Sequence, residues 1–132
     1  MTGASAVGRP DARAGEVPVV YVTTRAGSRS TARELQHWAA ENTREPAAAP
    51  REVIILDALP LTDLGKPYKP ALRQDAARRE AEAALRDAGL ANAQVESTSV
   101  EGTIVVTVSG TQHTARVGRA LDPYTFTWQV RA

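Results

Sequence analysis

The sequence contains no cysteine. This absence excludes disulfide bridges, thiolate nucleophiles and thiolate metal ligands. The longest uncharged apolar runs are about five residues, far below the roughly 18 to 20 residues that span a bilayer. The N-terminal residues also lack a basic segment followed by an apolar core, so we expect a cytoplasmic protein without a targeting segment.

Charge of neither sign dominates, since 16 Lys and Arg stand against 15 Asp and Glu and the formal net charge is +1. No overall field therefore favours nucleic acid or an anionic membrane as a partner. The chain has 132 residues, of which 42% are hydrophobic and 23% charged. This balance predicts a single globular domain over residues 1–132.

The first half of the sequence predicts a strand, a helix and a second strand. Residues 16–24 are rich in β-branched side chains, and residues 51–59 contain the apolar run VIIL; both patterns are typical of core strands. Between them, Thr31 and Glu34 have the spacing of a capping box. They introduce an amphipathic helix over residues 31–43 with Ala32, Leu35, Trp38 and Ala39 on one face.

The second half predicts a longer helix over residues 71–90, ended by Gly89. Asp75/Arg79 and Glu82/Arg86 are spaced for i, i+4 ion pairs on this helix. Glu101-Gly102 then indicates a hairpin turn, followed by a short helix and a last strand. The whole order, β-α-β-loop-α-β-β-α-β, predicts an α+β fold with a small sheet flanked by helices.

Histidine, carboxylate and serine patterns give little support for catalysis. His37 and His113 lack metal-ligand spacing, and we interpret both as surface or half-buried imidazoles. The acids form no cluster, so we expect no metal site. No serine lies in a nucleophile elbow. The basic stretches RQDAARR and ARVGR are better explained by a solvated surface than by a phosphate groove.

Residues 59–73, LPLTDLGKPYKPALR, are different because a lysine directly follows a turn glycine between prolines. A Walker-type phosphate loop is excluded, since Pro60 stands where it needs glycine and Pro67 where it needs Ser or Thr. The pattern predicts a loop that presents Lys66 outward. From the local residues alone, a simpler interpretation of Lys66 as a solvent-exposed turn lysine is favoured.

Two motifs of the sequence, one upstream of residue 20 and one in residues 59–73, resemble the C-terminal domain of the adenylate-forming enzymes. These enzymes include acyl-CoA synthetases, nonribosomal peptide adenylation domains and luciferases. The resemblance covers residues 4–90 and is nearest to the fatty or aryl acyl-CoA synthetase branch. The first motif comprises Val7, Gly8, Pro10, Asp11, Gly15, Glu16 and Pro18; the second comprises Pro60, Thr62, Gly65, Lys66, Lys69, Leu72 and Arg73.

The resemblance implies roles for the loop residues. Lys66 would be the catalytic lysine that reaches the active site of a much larger N-terminal domain while ATP and a carboxylate become acyl-adenylate and pyrophosphate. Thr62 and Gly65 would shape the loop, and Pro60 and Pro67 would stiffen it. Lys69 and Arg73 would contact substrate or partner, or simply be solvated.

No residue of the chain matches the large domain's phosphate loop, so we expect no activity and no cofactor binding by this chain alone. ATP, Mg and CoA or a phosphopantetheinyl carrier are implied for the complete ligase, with the large adenylating domain as partner and an acyl carrier protein as a further candidate. The alternative is a non-catalytic binding or regulatory module. Residues 93–132 are expected to form a β-β-α-β extension packed on the domain.

Overall fold

The structure, a computed structural model, describes residues 2–25, 27–41 and 49–131. The last two residues of the predicted first helix, 42 and 43, lie outside these ranges. The elements are β1 (Gly3–Asp11), β2 (Gly15–Thr23), α1 (Ala32–Glu41), β3 (Glu52–Ile55), α2 (Lys69–Asp87), β4 (Gln94–Val100), β5 (Thr103–Ser109), α3 (Thr114–Leu121) and β6 (Thr127–Val130).

The predicted α+β class is confirmed, and the structure adds one strand and a second sheet to the predicted arrangement. Strand β1 precedes the first predicted strand and forms an edge of the sheet β1-β2-β3, while β4-β5-β6 form a separate sheet. Pro10 lies within β1. An edge strand tolerates proline at positions where the missing N–H would face away from the neighbouring strand.

The chain divides into two compact units, the first formed by Met1–Gly8 with Val17–Leu72 and the second by Arg9–Glu16 with Arg73–Ala132. In the first unit β2 pairs with β3 in parallel, with Val19 opposite Glu52 and Val22 opposite Ile55. The buried apolar side chains of this unit come mainly from these two strands; they are Val7, Val17, Val19, Tyr21, Val22, Val53, Ile54 and Leu72.

Helix α1 of the first unit begins where the capping-box spacing predicts. The Thr31 Oγ1 accepts a hydrogen bond of 3.1 Å from the Glu34 N–H, which satisfies one of the free amides at the helix start. The Gln36 Nε2 donates to the Arg51 carbonyl at 2.8 Å and so links α1 to the start of β3. No residue of α1 is buried, and Trp38, on the predicted apolar face, is 61% exposed.

In the second unit, helices α2 and α3 pack against the sheet β4-β5-β6. Its core comprises Ala77, Ala81, Leu85, Leu90, Val106, Val108, Val117, Leu121 and Phe126. Strands β4 and β5 are antiparallel, and Glu101 and Gly102 both have positive φ, 50° and 83°, as a two-residue type I′ turn requires. Strand β6 returns parallel to β5 after the crossover through α3.

The surface of α2 carries ion pairs between side chains one turn apart. The predicted pair of Asp75 and Arg79 forms, with the Arg79 Nε 2.7 Å from an Asp75 oxygen. The predicted pairing of Glu82 with Arg86 is wrong, because Glu82 bonds Arg78 at 2.6 Å instead. Arg78 also reaches Asp75, at 2.8 Å, so one guanidinium bridges acids on either side of it.

Gly89 ends α2 in the left-handed conformation, with φ of 81°, and the Leu90 N–H donates back to the Leu85 carbonyl at 2.8 Å. This is the usual use of glycine after a helix.

Within the described ranges, none of the helices has both the length and the apolar character needed to cross a membrane.

A partly buried polar contact joins three segments of the second unit. The Tyr124 hydroxyl donates to Glu80 at 2.8 Å, and the Arg9 Nε lies 3.4 Å from the other Glu80 oxygen. The Tyr124 ring stacks on Phe126 with centroids 5.1 Å apart. Burial raises the pKa of Tyr124, and the hydrogen bond to Glu80 raises it further.

Replacement of Tyr124 by Phe tests this contact. The variant should lose about 1 to 2 kcal/mol of unfolding free energy at neutral pH, because the hydrogen bond to a carboxylate is lost. Since folding raises the Tyr124 pKa, its contribution is fully present below about pH 10, the value for an unfolded tyrosine, and declines above it.

Urea unfolding at several pH values measures both effects. Tyr68→Phe is the matched control, since Tyr68 is 46% exposed. A Tyr124→Phe variant as stable as the wild type at pH 7, or a difference that grows above pH 10, would contradict this account.

Candidate functional site: the Lys66 loop

The loop that follows β3 is a short hairpin closed by backbone hydrogen bonds. The Thr62 N–H donates to the Lys66 carbonyl at 2.7 Å, and the Tyr68 N–H donates to the Pro60 carbonyl at 2.7 Å. Leu61 and Pro67 form the bridge between these two bonds. Pro67 lacks an N–H but needs none, because its neighbours carry the pairing. Residues 60–68 therefore form a closed turn.

Gly65 permits the reversal at the tip of this loop. Its φ is 79°, a backbone conformation that residues other than glycine and asparagine seldom adopt. The Gly65 N–H donates to the Thr62 carbonyl at 2.9 Å, and the Lys66 N–H lies 3.3 Å from the Thr62 Oγ1. Thr62 thus receives hydrogen bonds from both residues of the Gly-Lys pair.

The side chains of Lys66, Lys69 and Arg73 are all exposed. Among the described residues, none of the three has an ion pair. Lys69 is the first residue of α2, whose first turn contains no acid, and Arg73 lies one turn further along the helix. Cations are not favoured at a helix start, where the peptide dipole is itself positive. The local charge is therefore available to an external anion.

Three large apolar side chains accompany the exposed lysine. Leu64 is 86% exposed, Leu61 is 59% exposed and Tyr68 follows Lys66 by two residues. Leucine exposed to this degree at two positions of one turn adds little stability to the chain itself. The motif positions do not include these residues, although the apolar residues between the prolines are a visible signal in the sequence.

The other candidate residues do not join this loop. The His37 Nε2 bonds the Glu41 carboxylate at 2.9 Å on the exposed side of α1, and His113 precedes α3 in the second unit. In the ranges that the structure describes, no three potential metal-ligating side chains come together.

The upstream motif forms the turn between β1 and β2. An Asp11 carboxylate oxygen accepts hydrogen bonds from the backbone N–H groups of Arg13, at 3.1 Å, and Ala14, at 2.8 Å. Gly15 follows with φ of 83°. The Pro-Asp-x-x-x-Gly spacing is thus explained by an Asx-type turn, which is a structural role.

Comparison with known proteins identifies the part of the chain that ends in the glycine-lysine turn. Residues 2–66 match the family model of the AMP-binding enzyme C-terminal domain, so the match ends at Lys66. Residues 2–66 are therefore similar to a C-terminal domain of the adenylate-forming superfamily, of the acyl-CoA ligase branch.

Two curated relatives are CoA ligases. The chain is 47% identical over 72 residues to marinolic acid–CoA ligase of Pseudoalteromonas sp. (strain SANK 73390), covering 54% of this chain and 11% of the relative. It is 35% identical over 72 residues to human mitochondrial malonate–CoA ligase ACSF3, covering 54% of this chain and 12% of the relative. The chain thus corresponds to only a small part of each enzyme.

Solved structures give the same result. Apo MatB from Rhodopseudomonas palustris is similar with a TM-score of 0.51 and 26% identity, over 55% of this chain and 14% of that one. Its ATP-bound form matches with a TM-score of 0.50 and 25% identity, over the same shares. The similarity to an adenylate-forming C-terminal domain, expected from the sequence, is confirmed.

The left-handed turn at Gly65 can be tested by substitution. Gly65→Ala should lower the unfolding free energy by about 1 to 2 kcal/mol, because alanine disfavours this φ, although its Cβ would meet no atom within 4 Å. Gly65→Asn should lose less, since asparagine tolerates the conformation. Urea unfolding measures both, and equal losses for Ala and Asn would show that the backbone conformation is not the cause.

Proposed function

We propose that this chain supplies Lys66 to the active site of a large ATP-binding domain outside these 132 residues. There the ammonium contributes to ATP-dependent activation of a carboxylic acid, first to the acyl-adenylate and then to a thioester. The observation that carries the proposal is the exposed Lys66 ammonium, without an internal counter-ion among the described residues, on a hydrogen-bonded turn within the family match.

The chemistry of nucleotidyl transfer supports this role. Charge shifts among the carboxylate, the α-phosphate and the leaving pyrophosphate, so a positioned cation stabilises the transition state. An ammonium on a four-carbon stem can extend beyond the surface that bears it. An intramolecular acid partner would neutralise Lys66, and the described residues supply none.

The matched relatives support a large adenylating domain as the partner of this chain. Each is a CoA ligase of which this chain matches about an eighth or less, so the adenylating machinery of those enzymes lies in parts that this chain does not match. The two relatives act on different acids by name, marinolic acid and malonate. We therefore propose the reaction class, acid–thiol ligation, and leave the acyl group open.

The neighbouring residues are proposed to assist. Lys69 and Arg73 would each contact substrate phosphates, the CoA or carrier phosphopantetheine, or the partner. Leu61 and Leu64 would lose their exposed apolar surface against the large domain, which gives the docking a hydrophobic component. Thr62, Gly65, Pro60 and Pro67 would fix the loop rather than touch the substrate.

Pyrophosphate release tests the proposal. The protein is mixed with a large adenylating domain truncated before its own Gly-Lys turn, together with ATP, Mg and a panel of carboxylic acids. Lys66→Ala should slow pyrophosphate release by about two to three orders of magnitude, the effect of removing one preorganised electrostatic contact.

Arg86→Ala is the matched control, because Arg86 is also an exposed cation of this chain but lies far along α2. It should retain the wild-type rate. Equal rates for the wild type and Lys66→Ala would overturn the catalytic proposal and favour a binding or regulatory module that contacts the synthetase or an acyl carrier protein.

A further inference from the structure

The second unit carries a groove that has no part in the Lys66 loop. Its volume is about 680 Å³, and it lies among the end of α2, the loop after β5 and the first turn of α3. Ligand sites usually have volumes of roughly 300 to 1,000 Å³. The groove is therefore large enough for a small organic molecule.

The ionisable side chains that line the groove are two arginines and a histidine. His113 and Arg116 lie at the start of α3, Arg131 follows β6, and no acid is among the lining residues. Arg131 has one long contact, 3.9 Å to Glu96, with both side chains largely exposed. Such a pair contributes little. Arg116 has no ion pair among the residues that the structure describes.

The remaining lining residues supply polar groups and a small apolar area. Gln112 and Asn92 can donate side-chain hydrogen bonds, while Leu90 and Ala93 are apolar. The loop carrying Gln112 is held locally, because the Thr111 Oγ1 accepts a hydrogen bond of 3.1 Å from the His113 N–H.

Gly110 lies in the groove wall next to the backbone that follows α2. Its φ is 79°, and a Cβ there would lie 3.5 Å from the Asn92 carbonyl oxygen. The loop after β5 therefore runs close to the backbone that follows α2. This proximity brings Arg116 and His113 to the same groove as Asn92 and Leu90.

We propose that this groove binds a small organic phosphate ester. The phosphate would lie against Arg116 and Arg131, whose planar guanidinium groups can donate two hydrogen bonds each to its oxygens. The organic group attached to the phosphate would contact Leu90 and Ala93. A phosphate dianion suits a groove with two permanent cations, a histidine and no acid better than a monoanionic carboxylate does.

Titration of the full chain, labelled with ¹⁵N, tests this proposal by NMR. The probes are n-butyl phosphate, inorganic phosphate and butyrate, added at constant ionic strength. Butyl phosphate should shift the amide signals of Gly89, Gly110 and His113. It should also bind about threefold or more tighter than inorganic phosphate, through partial burial of its methylenes, and tighter than butyrate, through its second charge.

Two variants of the same helix separate site binding from general charge. Arg116→Gln should weaken butyl phosphate binding about tenfold or more, the loss of one charge-assisted bidentate contact. Arg119→Gln removes the same charge from an exposed position of α3 outside the groove and should change the affinity less than about twofold. Lys66→Ala should also leave it unchanged, which distinguishes this site from the loop.

Three results would overturn the proposal. Equal weakening by Arg116→Gln and Arg119→Gln would indicate non-specific attraction to a basic surface. Butyrate binding as tightly as butyl phosphate would exclude a phosphate ligand, and inorganic phosphate binding as tightly would exclude the ester. Absence of any shift at Gly89, Gly110 and His113 at millimolar butyl phosphate would exclude the site.

Discussion

The parallel pairing of β2 with β3 is the constraint on which the first unit depends. Val19 and Tyr21 are fully buried, and the Leu56 N–H extends the ladder by donating to the Val22 carbonyl at 2.8 Å. The chain therefore leaves the sheet at a fixed point, only four residues before Pro60. A parallel pair needs a crossover, which α1 supplies. The position of the Lys66 loop thus follows from the burial of a few β-branched and aromatic residues.

The loop itself divides its work between backbone and side chains. Its backbone groups form hydrogen bonds with one another at Thr62, Gly65, Lys66 and Tyr68. Its large side chains, in contrast, are largely exposed to solvent. Exposed leucine and an ammonium without a counter-ion add little to folding. Their presence on a closed turn is more easily explained by contacts with another molecule than by stability.

Sequence reasoning succeeded where structure is determined within a few residues. The Thr31 cap, the Glu101-Gly102 turn and the end of α2 at Gly89 each depend on one local conformation, and all three were predicted. Strand β1 was missed because its residues, GASAVGRPD, have low strand propensity and an internal proline. The strand forms because it pairs with β2. The residues of β1 alone do not indicate this pairing.

The grouping of charges was also beyond local patterns. Spacing alone allowed Glu82 to pair with Arg86, but Arg78 stands one turn earlier on the same helix and already contacts Asp75. Asp75 and Glu82 are therefore engaged by arginines of α2, and Glu80 is engaged by Tyr124 and Arg9. This leaves Arg116 and Arg131, more than a dozen residues apart in sequence, to meet at one groove without a neutralising carboxylate in its lining. A net charge of +1 therefore excludes a strong overall field but not a local anion site, because pairing within one element can leave the opposite charge unpaired in another.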